Sequence, residues 1–160
     1  MIEIIFLDVD GCLSDGGIYY SNLGDELKKF NAKDGFGIMN WHKIGKISAI
    51  ITGRKSKIVE NRAEELGIKY VYQGANDKFS IAQDILKKEN LSFENAAAIG
   101  DDYNDIKLLN AVKMSFAPLD ALIKSDFKLS KKGGDGAVRE MIETIVEKEN
   151  LRDVWLQGWL

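Results

Sequence analysis

Asp8 and Asp10 stand two positions apart, directly before Gly11, where an apolar segment of the chain ends. Residues two apart on a strand point to the same side, so both carboxylates would enter the same space. Two carboxylates at such close range repel each other, and one stays protonated unless a cation lies between them. Mg²⁺ takes oxygen ligands and also accepts phosphate oxygens, so the pair predicts a magnesium and phosphate site.

The segment before this pair has the composition of a buried strand. From Ile2 to Leu7 only Glu3 is polar, as is typical of a strand in a parallel sheet that is covered on both faces. In open α/β sheets, ligands bind in the crevice outside the carboxyl ends of the strands. The sequence therefore predicts that Asp8 and Asp10 lie in such a crevice.

Three later features stand at comparable places, each at the end of a predicted strand or the start of a predicted helix. In chain order they are Thr52-Gly53-Arg54 after an apolar strand, Lys78 at the start of an amphipathic helix, and Asp101, Asp102 and Asp105 after Ala96-Ala97-Ala98-Ile99-Gly100. Each alone is explained as a turn former, a helix cap or a solvated helix residue. That explanation gives no reason for acids to collect at one edge of a sheet.

Strand-like and helix-like segments alternate along the chain, which predicts an α/β fold with a doubly wound, mostly parallel, Rossmann-like sheet. Two β-prone runs around an Asn/Gly/Asp turn predict a protruding β-hairpin at about residues 17–30. We expect strands over 47–52, 69–73, 96–100 and 112–116, and helices over 36–44, 56–66, 77–89, 103–110 and 137–148. Asp34 is the expected cap of the first of these helices.

The bulk composition fits one domain. The chain has 160 residues, 45% hydrophobic and 29% charged, and we assign 1–150 to a single domain and 151–160 to an apolar C-terminal tail. A formal charge of −3 without a basic stripe predicts no nucleic-acid partner. One cysteine, no leader-like segment and no apolar run of ~20 residues predict a cytoplasmic protein without a membrane partner.

Taken in order, the two aspartates, the threonine, the lysine and the later acidic cluster resemble the four motifs of the haloacid dehalogenase superfamily of aspartate-based phosphatases. The resemblance extends from Met1 to about residue 117. Members of that superfamily often carry a cap domain, inserted after the first motif or after the motif lysine. Here those intervals hold only a hairpin, two helices and two strands, so we expect no cap domain.

The superfamily resemblance implies a role for each matched residue. Asp8 would be the nucleophile that forms an aspartyl-phosphate, and Asp10 the general acid and then the general base. Mg²⁺ would be held by Asp8, by the backbone carbonyl of Asp10 and by Asp101. Thr52 and Lys78 would bind the other phosphoryl oxygens.

The same resemblance places Asp102 and Asp105 in a second layer, where they would orient the metal's water ligands and the motif lysine. His42, the only histidine, is expected to have a structural or interface role. Cys12, beside the nucleophile turn, is expected to be a small packing residue.

Further segments are similar to the 3-deoxy-D-manno-octulosonate 8-phosphate phosphatase family. They are Asp8-Val9-Asp10-Gly11, Leu13-Ser14-Asp15-Gly16, Gly24-Asp25-Glu26-Leu27-Lys28, Phe30-Asn31 with Asp34-Gly35, Ile51-Thr52-Gly53-Arg54-Lys55, Tyr72-Gln73-Gly74 and Gly134 to Glu140. This resemblance implies capless homotetramers with active sites shared between subunits, acting on an eight-carbon acidic sugar phosphate in lipopolysaccharide biosynthesis. The chain departs from the family at Cys12, where Val is usual, and in its Trp-rich tail.

Substrate contacts are expected at four positions. Gly11 and Gly53 lie in the turns that would approach the phosphate, Arg54 would bind the sugar carboxylate, and Arg139 is the second candidate for that role. A surface ion pair is the structural alternative for both arginines. A related family acts on a nine-carbon sugar acid 9-phosphate and tends to have an acidic residue at the position of Arg54, so Arg54 favours the eight-carbon substrate.

Three alternatives remain open from the sequence. One is a phosphatase for a nine-carbon, sialic-acid-like 9-phosphate. Another is a non-catalytic phospho-receiver module, although such modules carry the phosphorylated Asp on a middle strand, where this chain has Thr52. The third is a regulatory subunit that keeps only the fold, which the intact set of acids disfavours.

Overall fold

In the computed structural model, which describes residues 1–160, six strands pair in parallel to form one sheet. In sheet order they are β5 (Tyr70–Tyr72), β4 (Ile47–Ile51), β1 (Ile4–Leu7), β6 (Ala96–Ile99), β7 (Met114–Ala117) and β8 (Phe127–Lys128). Two further strands, β2 (Tyr19–Tyr20) and β3 (Glu26–Leu27), form an antiparallel hairpin outside the sheet. The predicted α/β fold with a protruding hairpin and no cap domain is confirmed.

Helices cover both faces of the sheet. They are α1 (Ala32–Lys43), α2 (Lys57–Leu66), α3 (Lys78–Lys88), α4 (Ile106–Leu109), α5 (Ala137–Lys148) and α6 (Arg152–Leu156). Side chains of α1, α2 and α5 form one apolar core with Ile5 and Leu7, whereas those of α3 and α4 form a second with Ile4 and Phe6. Because successive strand residues face opposite sides, β1 contributes to both cores and is apolar throughout.

The register of the sheet brings three strand ends to one level. Leu7, the last residue of β1, pairs with Ile50 of β4 on one side and with Ile99 of β6 on the other. The residues that follow these strands therefore emerge side by side at the same edge. This edge is where the predicted site residues after β1, β4 and β6 meet.

The first helix begins earlier than predicted. Asn31 caps α1, because its side-chain oxygen accepts a hydrogen bond from the N–H of Lys33 at 2.9 Å. Asp34 therefore lies inside the first turn and is only 1% exposed. Its Oδ1 accepts a hydrogen bond from the backbone N–H of Arg139 at 2.8 Å, which ties α1 to the start of α5.

The tail packs against α1 and α5. Trp155 in α6 is buried, and the guanidinium of Arg139 lies over its ring. The ring of Trp159 lies 4.9 Å from that of Phe36, and its Nε1 donates to Asn40 Oδ1 at 3.1 Å. The last ten residues are thus held against the domain by two tryptophans. No helix of the protein combines the length and apolar character needed to cross a membrane.

Candidate active site

The carboxyl ends of β1, β4 and β6 border a cavity of about 190 Å³ without an apolar side chain in its lining. The lining residues are Asp8, Asp10, Thr52, Gly53, Arg54, Asp101, Asp102 and Asn104. All of them except Asn104 were predicted from the sequence. A cavity lined by carboxylates and one guanidinium suits a charged, hydrated ligand better than an apolar one.

Lys78 lies at the first position of α3, and its ammonium group reaches Asp8, although Lys78 itself does not line the cavity. Its Nζ is 2.7 Å from Asp8 Oδ1 and 2.5 Å from Asp105 Oδ1, and all three side chains are almost fully buried. Burial alone would lower the pKa of Lys78, but attraction to Asp8 and Asp105 outweighs it, so the net shift is upward. Lys78 is therefore a cation fixed beside one oxygen of Asp8.

Asp105 holds the loop after β6 in place. Its Oδ2 accepts hydrogen bonds from the backbone N–H groups of Asp101 at 3.0 Å and Asp102 at 3.2 Å. Its other oxygen binds Lys78, as described above. A Cβ on Gly100 would overlap the side chain of Asp105, so glycine is needed where the loop leaves the strand. Asp105 thus orients both the lysine and the Asp101 backbone.

Asp8 and Asp101 approach each other closely. One carboxylate oxygen of each lies, together with the Sγ of Cys12, in a group whose members are within 4.8 Å of one another. Burial, and then the charge of Asp8, raises the pKa of Asp101; burial likewise raises that of Asp8, although Lys78 opposes it. A divalent cation between the two carboxylates would remove this repulsion, so the donor set fits Mg²⁺.

The turn that carries Asp10 is packed from two sides by backbone and carboxylate atoms. Gly11 has φ 91°, and a Cβ there would overlap the carboxylate of Asp101. On the other side, a Cβ on Gly133 would overlap the carbonyl of Gly11, and the N–H of Gly134 donates to the carbonyl of Cys12 at 3.0 Å. Glycines therefore allow the loop before α5 to close against the turn that follows β1.

The β-hairpin also contributes side chains to the site. Lys28 Nζ lies 2.5 Å from Asp10 Oδ1 and 3.1 Å from Glu26 Oε1, and the Lys28 side chain is fully buried. Arg54 binds Glu26 at 3.3 Å and also binds the hydroxyl of Tyr20 at 3.3 Å. The sequence had placed the hairpin at a subunit contact but had not assigned Lys28 or Glu26 to the site.

Thr52 and Gly53 line the same cavity as Asp8. Thr52 is 2% exposed, and its backbone is fixed by hydrogen bonds from its N–H to Tyr72 and from the Ala75 N–H to its carbonyl. Gly53 has no side chain to narrow the cavity. Arg54 follows at the rim with its side chain 44% exposed, where a ligand can reach it.

Arg139, by contrast, does not line this cavity within one chain. Its Nε binds Glu143 at 2.7 Å, and its guanidinium lies over the rings of Phe36 and Trp155. The side chain is thus occupied in holding α5, α1 and the tail together. A substrate contact at Arg139 stays a prediction.

Three residues of the site were not predicted from the sequence. Lys28 and Glu26 stand two apart, so on a strand they share a face, but nothing local indicates that this face meets Asp10. Asn104 stands between two acids of the predicted cluster and was passed over in favour of the acids. His42, as expected, has a structural contact: its Nε2 lies 2.6 Å from Ser48 Oγ.

Comparison with known proteins identifies relatives that match nearly the whole chain. The 3-deoxy-D-manno-octulosonate 8-phosphate phosphatase KdsC of Escherichia coli K12 is 43% identical over 149 residues, which is 91% of this chain and 79% of the relative. This chain belongs to the 3-deoxy-D-manno-octulosonate 8-phosphate phosphatase family. The model for haloacid dehalogenase-like hydrolases also matches residues 71–121, which include Lys78, Asp101 and Asp105.

Solved structures of the phosphatase family superpose closely. The phosphatase from Moraxella catarrhalis, in complex with a magnesium ion, a phosphate ion and a KDO molecule, has a TM-score of 0.95 at 37% identity, covering 99% of this chain and 94% of that one. The cobalt-bound enzyme from Haemophilus influenzae has a TM-score of 0.88 at 36% identity, covering 93% and 90%. The family therefore accounts for the whole architecture, from β1 to the tail.

Proposed function

We propose that this chain is a Mg²⁺-dependent phosphoric monoester hydrolase that cleaves 3-deoxy-D-manno-octulosonate 8-phosphate through an aspartyl-phosphate on Asp8, in lipopolysaccharide precursor biosynthesis. The observation that carries this proposal is the surroundings of Asp8. One of its oxygens is bound by the buried cation of Lys78, while its carboxyl group borders the cavity next to Asp101. Family membership supports the substrate.

In this mechanism a carboxylate oxygen of Asp8 attacks phosphorus as the bond from phosphorus to the sugar oxygen breaks. Asp10 gives a proton to the departing sugar oxygen and later takes one from the water that hydrolyses the acyl phosphate. Lys78 and Thr52 bind phosphoryl oxygens as charge develops on them. Bound Mg²⁺, held by Asp8, Asp101 and the backbone carbonyl of Asp10, supplies charge neutralisation.

Arg54 is our proposed ligand for the substrate's carboxylate. It stands at the cavity rim directly after the phosphate-binding turn, and its partner Glu26 is itself a carboxylate. A planar guanidinium can bind a carboxylate through two parallel hydrogen bonds, whereas the ammonium group of a lysine cannot form this bidentate arrangement. Both candidate sugars carry a carboxylate, so the preference for the eight-carbon substrate rests on the acidic residue that the nine-carbon family tends to have at this position.

We further propose a homotetramer in which neighbouring subunits complete each active site. The cavity has no apolar wall, and the exposed hairpin carries Tyr20 and Leu23 with 65% and 90% of their surfaces in solvent. Exposed apolar side chains on one protruding element support a protein contact there. The cytoplasmic location stays a prediction.

The test is phosphate release from a panel of sugar-acid phosphates, with and without EDTA. We expect the eight-carbon 8-phosphate to be the preferred substrate, with activity lost in EDTA and restored by Mg²⁺. Asp8→Asn should lower kcat by at least about 10³-fold, and Asp10→Asn by about 10²-fold or more. Full activity of Asp8→Asn would remove Asp8 as the nucleophile.

The same assay separates the rival functions. A phospho-receiver module would give a long-lived phosphoaspartate without turnover of phosphate esters, and a regulatory subunit would give neither. Preference for a nine-carbon 9-phosphate would keep the mechanism but correct the substrate and the role of Arg54.

A further inference from the structure

Lys28 is the one long side chain of the hairpin that is fully withdrawn from solvent. Its side chain is 0% exposed, whereas the neighbouring Lys29 side chain is 52% exposed. Fixing a lysine side chain in one conformation costs on the order of 1.5–2 kcal/mol of conformational entropy. That cost must be offset by the partners of its ammonium group.

Those partners belong to a closed set of alternating charges. Lys28 binds Asp10 at 2.5 Å and Glu26 at 3.1 Å, Glu26 binds Arg54 at 3.3 Å, and Arg54 Nε lies 3.8 Å from the other oxygen of Asp10. Two of these residues come from the hairpin and two from the ends of the central strands. The hairpin is therefore joined to the carboxyl group proposed to move protons.

The two oxygens of Asp10 are not equivalent in this arrangement. Oδ1 is held by a direct, charge-assisted hydrogen bond from Lys28, whereas Arg54 Nε is beyond hydrogen-bond distance of Oδ2. Oδ2 is thus the oxygen left to exchange a proton with a substrate. The direction in which a carboxyl oxygen faces the reacting atom determines how efficiently the group transfers a proton.

We propose that Lys28 is a positioning residue for Asp10, holding Oδ1 so that Oδ2 faces the leaving oxygen of the sugar phosphate. This inference rests on the proposed function. As the bond from phosphorus to the sugar oxygen breaks and the bond from phosphorus to Asp8 forms, the proton on Oδ2 passes to the sugar oxygen. The carboxylate left behind is stabilised by the Lys28 ammonium.

The experiment compares two leaving groups. A sugar alkoxide needs the proton from Asp10, whereas 4-nitrophenolate leaves without one. We expect Lys28→Met to lower kcat/KM for the sugar-acid phosphate by about 10²-fold and for 4-nitrophenyl phosphate by less than about tenfold. Lys28→Arg, which keeps the charge, should recover part of the loss.

Lys29→Met is the matched control, because it removes the same charge from the same hairpin. Lys29 binds Asp135 at 2.7 Å and does not contact Asp10. We expect kcat/KM within about twofold of the parent for both substrates. Circular dichroism and sedimentation confirm folding and assembly of each variant, and Lys28→Gln replaces Lys28→Met in the same comparison if the latter does not fold.

A double variant decides how Lys28 acts. If it works through Asp10, the Lys28→Met, Asp10→Asn protein should be no slower than Asp10→Asn alone. Losses that multiply would mean that Lys28 touches substrate itself, and equal losses on both substrates would mean a general structural role. Either result overturns the inference. It is also overturned if Lys28→Met keeps the parent's kcat/KM for the sugar-acid phosphate while Asp10→Asn loses it. Unimpaired Asp10→Asn would instead contradict the proposed role of Asp10.

Discussion

Two buried charged residues of this protein have very different surroundings. Lys78 is enclosed by the carboxylates of Asp8 and Asp105, which compensate its burial. Asp34 has a hydrogen bond to only one oxygen, and its Oδ2 has no partner. Burial raises the pKa of Asp34 to about 6, although the N–H of Arg139 and the charge of Arg62 act in the opposite direction.

This shift predicts a pH-dependent stability. Because the folded-state pKa of Asp34 is above its unfolded value of about 3.9, its contribution is favourable below pH ~4 and is lost as the pH rises through about 6. Asp34→Asn, which cannot ionise, should therefore have a higher Tm than the parent at pH 8 and nearly the same Tm at pH 4. Thermal unfolding of both proteins, measured from pH 4 to pH 8, tests this expectation.

The exposed Asp153→Asn is the control for that series, and it should leave the Tm within about 1 °C of the parent at every pH, as is usual for surface substitutions. A parent that is more stable than Asp34→Asn at pH 8 would mean that the ionised carboxylate is better solvated by Arg62 than its burial suggests.

Among the elements, the turn between β1 and the hairpin is tightly constrained. Gly11 combines a positive φ with a Cβ position that is occupied by the Asp101 carboxylate, whereas Gly24 has a similar φ of 86° and open space around it. Substitutions at Gly11 and Gly24 therefore separate the effect of backbone strain from that of steric overlap. Only the steric overlap at Gly11 should disturb the proposed metal site.

Accordingly, Gly11→Ala should lower activity by at least about 10²-fold and weaken Mg²⁺ activation, since a displacement of about 1 Å in a catalytic group has effects of that size. Gly24→Ala should lose only about 1–2 kcal/mol of stability from the left-handed backbone and keep its activity. Steady-state kinetics over a Mg²⁺ titration would check both. Equal activity losses in the two variants would assign the effect to strain alone.

The tail helix α6 is a second element with a measurable role. Trp155 is 6% exposed, so Trp155→Ala should destabilise the protein by about 3 kcal/mol, whereas Leu160→Ala, at a fully exposed residue, should change little. We also expect removal of residues 151–160 to change kcat or KM. Chemical denaturation and kinetics test the two statements separately, and unchanged kinetics would limit the tail to packing.

The sequence predicted correctly those elements whose residues carry a strong local pattern. Buried apolar runs located β1, β4 and β6, and α2 ends at Leu66 as predicted, where Gly67 takes a left-handed conformation with φ 68°. The start of α1 was missed because Asn31 and Asp34 are both good caps and only tertiary packing chooses between them. The strand β8 has two residues, too few for any periodicity. Lys28 reaches Asp10 across 18 positions, a contact that no local pattern encodes.

At the scale of the whole molecule, the proposed assembly can be tested at the exposed hairpin. The hairpin tip exposes Leu23 almost completely, so Leu23→Asp should shift the protein toward smaller species and lower its activity, because the proposed shared sites would come apart. Leu160→Asp, an equally exposed leucine elsewhere, should do neither. Sedimentation velocity and steady-state kinetics of both variants would test these expectations. A Leu23→Asp protein that keeps both its size and its activity would place the contact elsewhere.

The position of β1 in the sheet has a consequence for how the protein responds to heat. This strand has two strands on one side and three on the other, so its amide groups are protected by parallel neighbours at both edges. Opening of the outermost strands β5 or β8 leaves it untouched. Amide hydrogens of Phe6 and Leu7 should then exchange only when the entire domain unfolds, and loss of catalysis on heating should coincide with that event rather than precede it.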